Sequence, residues 1–179
     1  MHLQKLFPFL ACVMSLSAAA VDAPVHDLQG VYTLDAAASD SINSAIENGT
    51  ADMNFAIRGL ARRRIAQTNP RYERIRLSRT DATIMVQFDS RAAIELPADG
   101  RSVPWTREDG GKYIVTAQWS APQLLMHFDA DDGQRTNTLL LSPDGLSLEL
   151  KVRLTSSHLP KPIEYTLGYR RGSLSQGLH

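Results

Sequence analysis

The sequence is short of several features that would point to common functions. Its 179 residues contain one cysteine, Cys12, and equal numbers of basic and acidic side chains, so the formal net charge is zero. A chain without net charge has no summed field to attract a polyanion, which disfavours a nucleic-acid partner. It also has no apolar run of about 20 residues, the length that a membrane-spanning helix needs. We therefore expect neither nucleic-acid binding nor a transmembrane helix.

Motifs for catalysis and metal binding are missing as well. There is no serine nucleophile elbow, no phosphate-binding glycine loop and no HExxH. No two histidines have the spacing of metal ligands, and His127 is interpreted as an outward side chain on a strand. Adjacent carboxylates such as Asp131 and Asp132 fall in a predicted turn, where Asp is common for its turn chemistry. We predict a non-enzymatic protein with no cofactor and no metal.

Residues 1–20 have the pattern of a secretory signal peptide. A short polar start precedes an apolar run over 6–16, and Ala18-Ala19-Ala20 follows as a small-residue cleavage site. We expect the mature chain to begin near Val21, in the periplasm or outside the cell. Because Cys12 would leave with the signal, the mature chain would contain no thiol. Lipid attachment to Cys12 is the alternative.

Most of the sequence after residue 70 alternates between apolar and polar residues, which predicts half-buried strands. Turn formers followed by glycine, as in Asp131-Asp132-Gly133 and Pro143-Asp144-Gly145, separate neighbouring strands. Ten strands are predicted in all, the first over 28–35 and the last over 163–171. The clearest is LSLELKVRLTS, whose predicted inward face consists of Leu146, Leu148, Leu150, Val152 and Leu154.

The apolar period changes to a helical one between the first and second strands. Ser39 is expected to cap a first helix that stops at Asn48-Gly49. Thr50 is expected to cap a second helix over 51–67, which Asn69-Pro70 would end. This helical hairpin, 39–67, is predicted to lie as a lid over the sheet.

Ten sequential antiparallel strands leave two exposed edges unless the sheet closes. We therefore predict a mainly β fold: a single antiparallel up-and-down β-barrel of about ten strands over 28–171, with the hairpin inserted after the first strand. Tails would flank it at 21–27 and 172–179. An open half-barrel is the alternative, and it would leave the strands 29–35 and 163–171 unpaired.

This layout resembles the calycins, especially the fatty-acid-binding proteins and lipocalins. The matching residues are Gly30 and Tyr32, at the place of the family's Gly-x-Trp on the first strand, and the ending Tyr169-Arg170-Arg171. The resemblance implies a β-barrel that carries a small ligand. It also implies that Arg171 either packs on the aromatic ring of Tyr32 or contacts a ligand carboxylate.

Candidate ligand-binding residues come from the lid and from the predicted barrel interior. In the second helix the predicted inward stripe is formed by Met53, Ala56, Ile57, Leu60 and Ala61, with Phe55, Arg58 and Arg62 on the opposite side. Arg64 falls within that stripe, where it would either extend to solvent or meet an anionic headgroup at the barrel mouth. The full candidate set is Ile57, Leu60, Arg64, Trp119, Met126, Phe128, Tyr165, Tyr169 and Arg171.

The sequence thus predicts an exported, non-enzymatic protein that binds a small apolar or amphipathic ligand inside a barrel, including an anionic, lipid-like one. Two alternatives stay open. One is an interaction module of the cell envelope whose barrel is filled by side chains and whose helix 51–67 contacts a membrane surface. The other is an open half-barrel that carries lipid or lipoprotein acyl chains.

Overall fold

The computed structural model of the chain describes residues 27–172. The predicted signal peptide, Cys12 and most of both predicted tails lie outside these residues. The described residues form ten strands, two α-helices and one short 3₁₀ turn, Ala36–Ala38. The strands are β1 (Gly30–Asp35), β2 (Arg74–Arg79), β3 (Thr83–Phe88), β4 (Ile94–Pro97), β5 (Val103–Thr106), β6 (Lys112–Ser120), β7 (Gln123–Ala130), β8 (Gly133–Leu141), β9 (Ser147–Thr155) and β10 (Ile163–Arg171).

All strands belong to one antiparallel sheet that curves into a nearly closed barrel. Its hydrogen-bonded order is β4-β3-β2-β1-β10-β9-β8-β7-β6-β5. β1 pairs with β10, with Tyr32 opposite Arg171 and Leu34 opposite Tyr169. The predicted barrel is therefore confirmed and the half-barrel alternative is wrong. Within the described residues, one seam in the barrel has no ladder, and it lies between β4 and β5.

Two helices, α1 (Ile42–Gly49) and α2 (Phe55–Thr68), follow β1. The capping residues differ from the prediction. Ser41 accepts a hydrogen bond from the amide of Ser44 and caps α1, because the hydroxyl of Ser39 is used by β10, accepting from the amide of Gly168 at 3.0 Å.

The second helix begins later than predicted. Asn54 caps it by accepting from the amide of Ala56 at 2.9 Å. Thr50 instead ends α1, and its buried hydroxyl donates to the carbonyl of Ile46 at 2.7 Å. The predicted end of α2 at Asn69 is confirmed.

The lid is packed against the last strand through α1. Ile46 is buried, and Gly49 lies so close to β10 that a Cβ at this position would come 2.2 Å from Cγ1 of Ile163. Glycine is thus required at the end of α1 by close approach, since side chains rarely come nearer than about 3.4 Å without overlap. This contact holds the helices over the end of the barrel at which β1 finishes.

The alternating apolar residues form one core inside the barrel. Along β9, Leu148, Leu150 and Val152 are buried and the side chains between them are exposed, as predicted. The predicted inward position of Leu146 is wrong, because this residue precedes β9 and is 65% exposed. The side chain of Asp144 accepts a hydrogen bond from the Leu146 amide, which keeps this residue in the turn and out of the ladder.

Candidate functional site

A cavity of about 430 Å³ lies in the half of the barrel next to the helices. Its wall comes from α2, from β5, from the adjoining ends of β3, β6, β7 and β8, and from the turns that follow β5, β7 and β9. The other half of the barrel is solid, because the inward side chains there are fully buried against one another, among them Leu124, Met126, Leu139 and Leu150. The barrel is therefore neither empty throughout nor filled throughout.

Arg135 lies on the inward face of β8, the face that also carries the buried residues Asn137 and Leu139. Its Nε donates to Oδ1 of Asn137 at 2.7 Å, and its Nη1 donates to Oδ1 of Asn69 at 2.6 Å. Among residues 27–172, no carboxylate lies within 4 Å of this guanidinium. The charge of Arg135 is thus held by two neutral amide oxygens and keeps further donors for another acceptor.

Tyr165 on β10 lies beside this guanidinium. Burial raises the pKa of its hydroxyl above the ordinary value, and the positive charge of Arg135 opposes that rise. A phenol with a raised pKa stays protonated at neutral pH and can donate a hydrogen bond. Tyr165 therefore stays neutral beside Arg135 and adds no counter-charge to it.

The rim of the cavity carries three more arginines. Arg91 pairs with Glu108 at 2.9 Å, and Arg107 pairs with Asp109 at 2.7 Å, so that both have a counter-ion. Arg64 lines the cavity with an exposed side chain and has no ion pair within the described part of the chain. Two arginines of the cavity, Arg64 and Arg135, therefore have no carboxylate partner in the described part of the chain.

One side of the cavity is formed by aromatic rings. The ring centroids of Trp105 and Tyr113 are 5.6 Å apart, and Phe128 lies edge-on to them at 5.8 Å and 6.3 Å respectively. Tyr72 and Phe88 form a second pair, with centroids 4.5 Å apart. All five residues line the cavity.

No protein-family model matches the chain, and no curated protein matches its sequence. Solved structures do match it. A structure described as "REP1-NXSQ fatty acid transporter" superimposes with a TM-score of 0.54 at 13% identity, over 83% of this chain and 98% of the other. Apo Caenorhabditis elegans lipid binding protein 8 superimposes with a TM-score of 0.52 at 10% identity, over 80% of this chain and 94% of the other. The chain has a calycin-like β-barrel.

The calycin-like barrel confirms, at the level of the fold, the resemblance drawn from Gly30, Tyr32 and the last strand. The guanidinium of Arg171 lies over the ring of Tyr32, with Cζ 5.6 Å from the centroid. It also donates to the carbonyl oxygens of Asp27, Gln29 and Gly145. A Cβ on Gly30 would come 3.0 Å from Nε of Arg171, which explains the glycine. Of the two expected roles of Arg171, these contacts agree with packing on Tyr32. Arg171 does not line the cavity.

The predicted inward stripe of the second helix is wrong for Ile57 and Leu60, which are 54% and 51% exposed and do not line the cavity. Arg58 and Arg62 were expected on the outer side but contact the end of α1 and the segment after it. Arg58 donates to the carbonyl of Met53, and Nε of Arg62 donates to Oγ1 of Thr50 at 2.9 Å. These bonds fix the rotation of α2, so that Ala61, Ile65 and Thr68 face the barrel instead.

The other predicted site residues are divided between cavity and core. Phe128 and Arg64 line the cavity. Met126, Tyr165 and Tyr169 are buried without lining it, and the hydroxyl of Tyr169 donates to the carbonyl of Tyr72 at 3.1 Å. Trp119, close to the β6–β7 turn, lies at the other end of the barrel, where the guanidinium of Arg79 sits 5.6 Å from its ring centroid.

The charged residue that the predicted site lacks is Arg135, and the lining rings of Trp105 and Tyr113 are also absent from it. The alternation within QRTNTLLLS could have identified Arg135. It is two residues from Asn137 and four from Leu139, so the three side chains lie on the same, buried face of the strand. Asn69 was recognised as the end of a helix, but nothing local in the sequence connects it with a residue 66 positions away.

Within residues 27–172 neither α-helix has the length and the apolar composition needed to cross a bilayer.

Proposed function

We propose that this protein is an exported, non-enzymatic binding protein that holds a small amphipathic anion in the barrel beneath α2. The observation that carries the proposal is Arg135, a guanidinium that lies in a largely apolar cavity and has no carboxylate partner among residues 27–172. Removing a cation from water without a counter-ion costs free energy, so such a site gains from binding an anion. The planar fork of arginine matches a carboxylate or a phosphate in bidentate geometry.

The cavity has the mixed character that such a ligand needs. Apolar groups form most of its surface, and the amide oxygens of Asn69 and Asn137 contact Arg135 within it. Small-molecule sites typically combine an apolar lining with a few placed polar groups in a volume of about 300–1,000 Å³. The two similar structures described above are those of a fatty acid transporter and a lipid binding protein, which agrees with a ligand of this class.

The test is binding of a fluorescent fatty-acid analogue to the protein lacking residues 1–20. Replacing Arg135 by Gln removes the charge, and we expect the affinity to fall about ten- to a hundred-fold, since a hydrogen bond to a charged group contributes about 1.5–3 kcal/mol. Arg153→Gln is the matched control, because Arg153 faces outward on β9 and pairs with the exposed Glu164. An uncharged alcohol form of the probe should bind wild type and Arg135→Gln alike. Equal losses in Arg135→Gln and Arg153→Gln would contradict the proposal.

Arg64 is the second candidate for contact with the anion, at the mouth of the cavity. Arg64→Ala should weaken the probe less than Arg135→Gln, because Arg64 is exposed and its charge is screened by water. Arg63→Ala is the suitable control, since Arg63 is exposed on the same helix and does not line the cavity. Arg62 does not serve as a control because its side chain joins the two helices.

A second candidate function is docking of α2 onto an anionic lipid surface, from which a ligand would enter the barrel. Phe55 is 85% exposed, Ile57 and Leu60 are about half exposed, and the helix carries four arginines with no acidic residue. Apolar side chains that are exposed beside arginines can bind at the interface of a membrane that contains anionic lipid. We expect the protein to float with vesicles that contain anionic lipid and not with neutral ones. The double variant Phe55→Ser and Leu60→Ser should abolish this, and equal flotation of that variant would contradict it.

Export is part of the proposal and is supported by the pattern of residues 1–20. Mass analysis of the protein from the exported fraction should give an N-terminus between Val21 and Pro24. An acylated Cys12 as the first residue would instead identify a lipoprotein.

A further inference from the structure

The depth of the cavity limits the shape of any ligand. Phe128 on β7 and Asn137 on β8 are the innermost lining residues of their strands. The next inward side chains, Met126 and Leu139, are both fully buried in the packed core. An extended saturated chain therefore has no channel along the barrel axis, and its volume would have to fold up within about 430 Å³.

The rings around this space are held in place. The guanidinium of Arg107 lies over Tyr113, with Cζ 5.4 Å from the ring centroid, and makes two hydrogen bonds of 2.7 Å with the carboxylate of Asp109. Trp105 and Phe128 contact the same ring at the distances given above. Rigid rings cost little entropy when a ligand is placed against them, because their side chains are already ordered.

Such a wall discriminates between ligands of equal size. Aromatic rings attract other flat π-systems in stacked or edge-on arrangements beyond what burial of area gives, whereas a saturated chain gains only the burial. Each well-placed ring contact corresponds to an affinity gain of about two- to ten-fold.

We propose that the ligand is a compact aromatic carboxylate, with its ring system against Trp105, Tyr113 and Phe128 and its carboxylate on Arg135. This rests on the proposed function and specifies its ligand class. The flat body fits the short cavity, and the guanidinium provides two parallel donors for the carboxylate.

The test compares 2-naphthoate with undecanoate, two carboxylates that have the same number of carbon and oxygen atoms. Binding is followed by calorimetry and by the fluorescence of Trp105 in a Trp119→Phe background, since Trp119 does not line the cavity. We expect 2-naphthoate to bind at least about ten-fold more tightly, the gain of one or two ring contacts. Fluorescence of Trp105 should change on its addition.

The matched variants are at Tyr113. Tyr113→Leu removes the ring and should weaken 2-naphthoate by about two- to ten-fold while undecanoate is unaffected. Tyr113→Phe keeps the ring and should bind both ligands as wild type does.

The outcomes separate the two proposals. If undecanoate binds as tightly as 2-naphthoate, depends on Arg135 and is indifferent to Tyr113→Leu, the aromatic ligand class is wrong and the binding function stands. If neither acid binds, and the fatty-acid analogue does not bind either, both are wrong.

Discussion

Arg135 on β8 and Asn69 at the end of α2 are joined by a hydrogen bond of 2.6 Å between Nη1 and Oδ1. The side-chain nitrogen of Asn69, Nδ2, donates in turn to the carbonyl of Ile65, one turn back in the helix. The guanidinium that faces the cavity is therefore also one of the groups that hold the lid on the barrel. A change at Asn69 should affect stability and ligand binding in ways that can be separated.

The substitutions Asn69→Asp and Asn69→Ala should separate the effect on ligand affinity from the effect on stability. The aspartate places a carboxylate against Arg135 and satisfies its charge, so the affinity for an anionic probe should fall at least about ten-fold. The alanine leaves Arg135 without this partner and should lower the free energy of unfolding by about 1–3 kcal/mol without the same loss of affinity. Denaturant titrations and probe binding on both variants measure the two effects, and equal losses of affinity would show that Asn69 acts only by positioning the lid.

Leu150 and its neighbour Lys151 test the direction of β9. Leu150 is fully buried and Lys151 is exposed. Leu150→Asp should unfold the domain, because an unpaired buried carboxylate costs several kcal/mol of a total stability of about 5–15 kcal/mol. Lys151→Asp should stay within about 1 kcal/mol of wild type, allowing for the loss of its exposed pair with Glu149. Thermal melts of the two variants decide, and similar shifts would contradict the assigned faces.

Two helical glycines should respond to alanine with opposite signs. At Gly49 the new Cβ would overlap Ile163, so Gly49→Ala should destabilise by roughly 1–3 kcal/mol. At Gly59, in the middle of α2, no atom of residues 27–172 outside the helix's own backbone lies within 4 Å of the new Cβ, so Gly59→Ala should stabilise by about 0.5–1 kcal/mol. Denaturant midpoints give both values. A loss of stability in Gly59→Ala would mean that α2 is packed differently.

The pair of Arg107 and Asp109 predicts a pH dependence on the acid side. The hydrogen bond from Arg107 lowers the pKa of Asp109 to about 2, whereas an unfolded aspartate titrates near 3.9. Because the folded pKa is the lower one, the pair stabilises the protein fully above about pH 4, and its contribution is lost as the pH falls towards about 2.

The stability difference between wild type and Asp109→Asn should therefore shrink over that pH interval. Denaturant titrations at a series of pH values measure it. High salt should reduce the difference throughout, because both side chains are partly exposed. A difference that does not change with pH would exclude the pair as its source.

The barrel could be predicted from the sequence because alternation is a local signal that every strand repeats. The turn glycines and the single helical insertion complete the order of elements, and the β1–β10 pair follows from the need to cover two edges. The same alternation along β8 also predicts that the side chain of Arg135 faces inward.

The orientation of α2 could not be predicted in this way. Its apolar residues are spread around the helix, so the sequence gives no unambiguous buried face. The face is decided by hydrogen bonds of Arg58 and Arg62 to Met53 and Thr50, which depend on where α1 ends. The extent of the cavity is likewise a property of packing between strands that are distant in sequence.

Because β4 and β5 share no ladder, the chain could begin at β5 without breaking a strand pair. Read from β5, its ladder order runs β5 to β10 and then β1 to β4, a continuous meander. The amide of Gly172 donates to the carbonyl of Val31 at 2.8 Å, so the two ends of the described chain lie side by side. A circular permutant opened at the exposed Gly100, with a short linker joining the ends of the described chain near Val31 and Gly172, would keep every strand pair while making the β1–β10 pairing local. Its contact order would be lower, and it should fold faster than the natural chain.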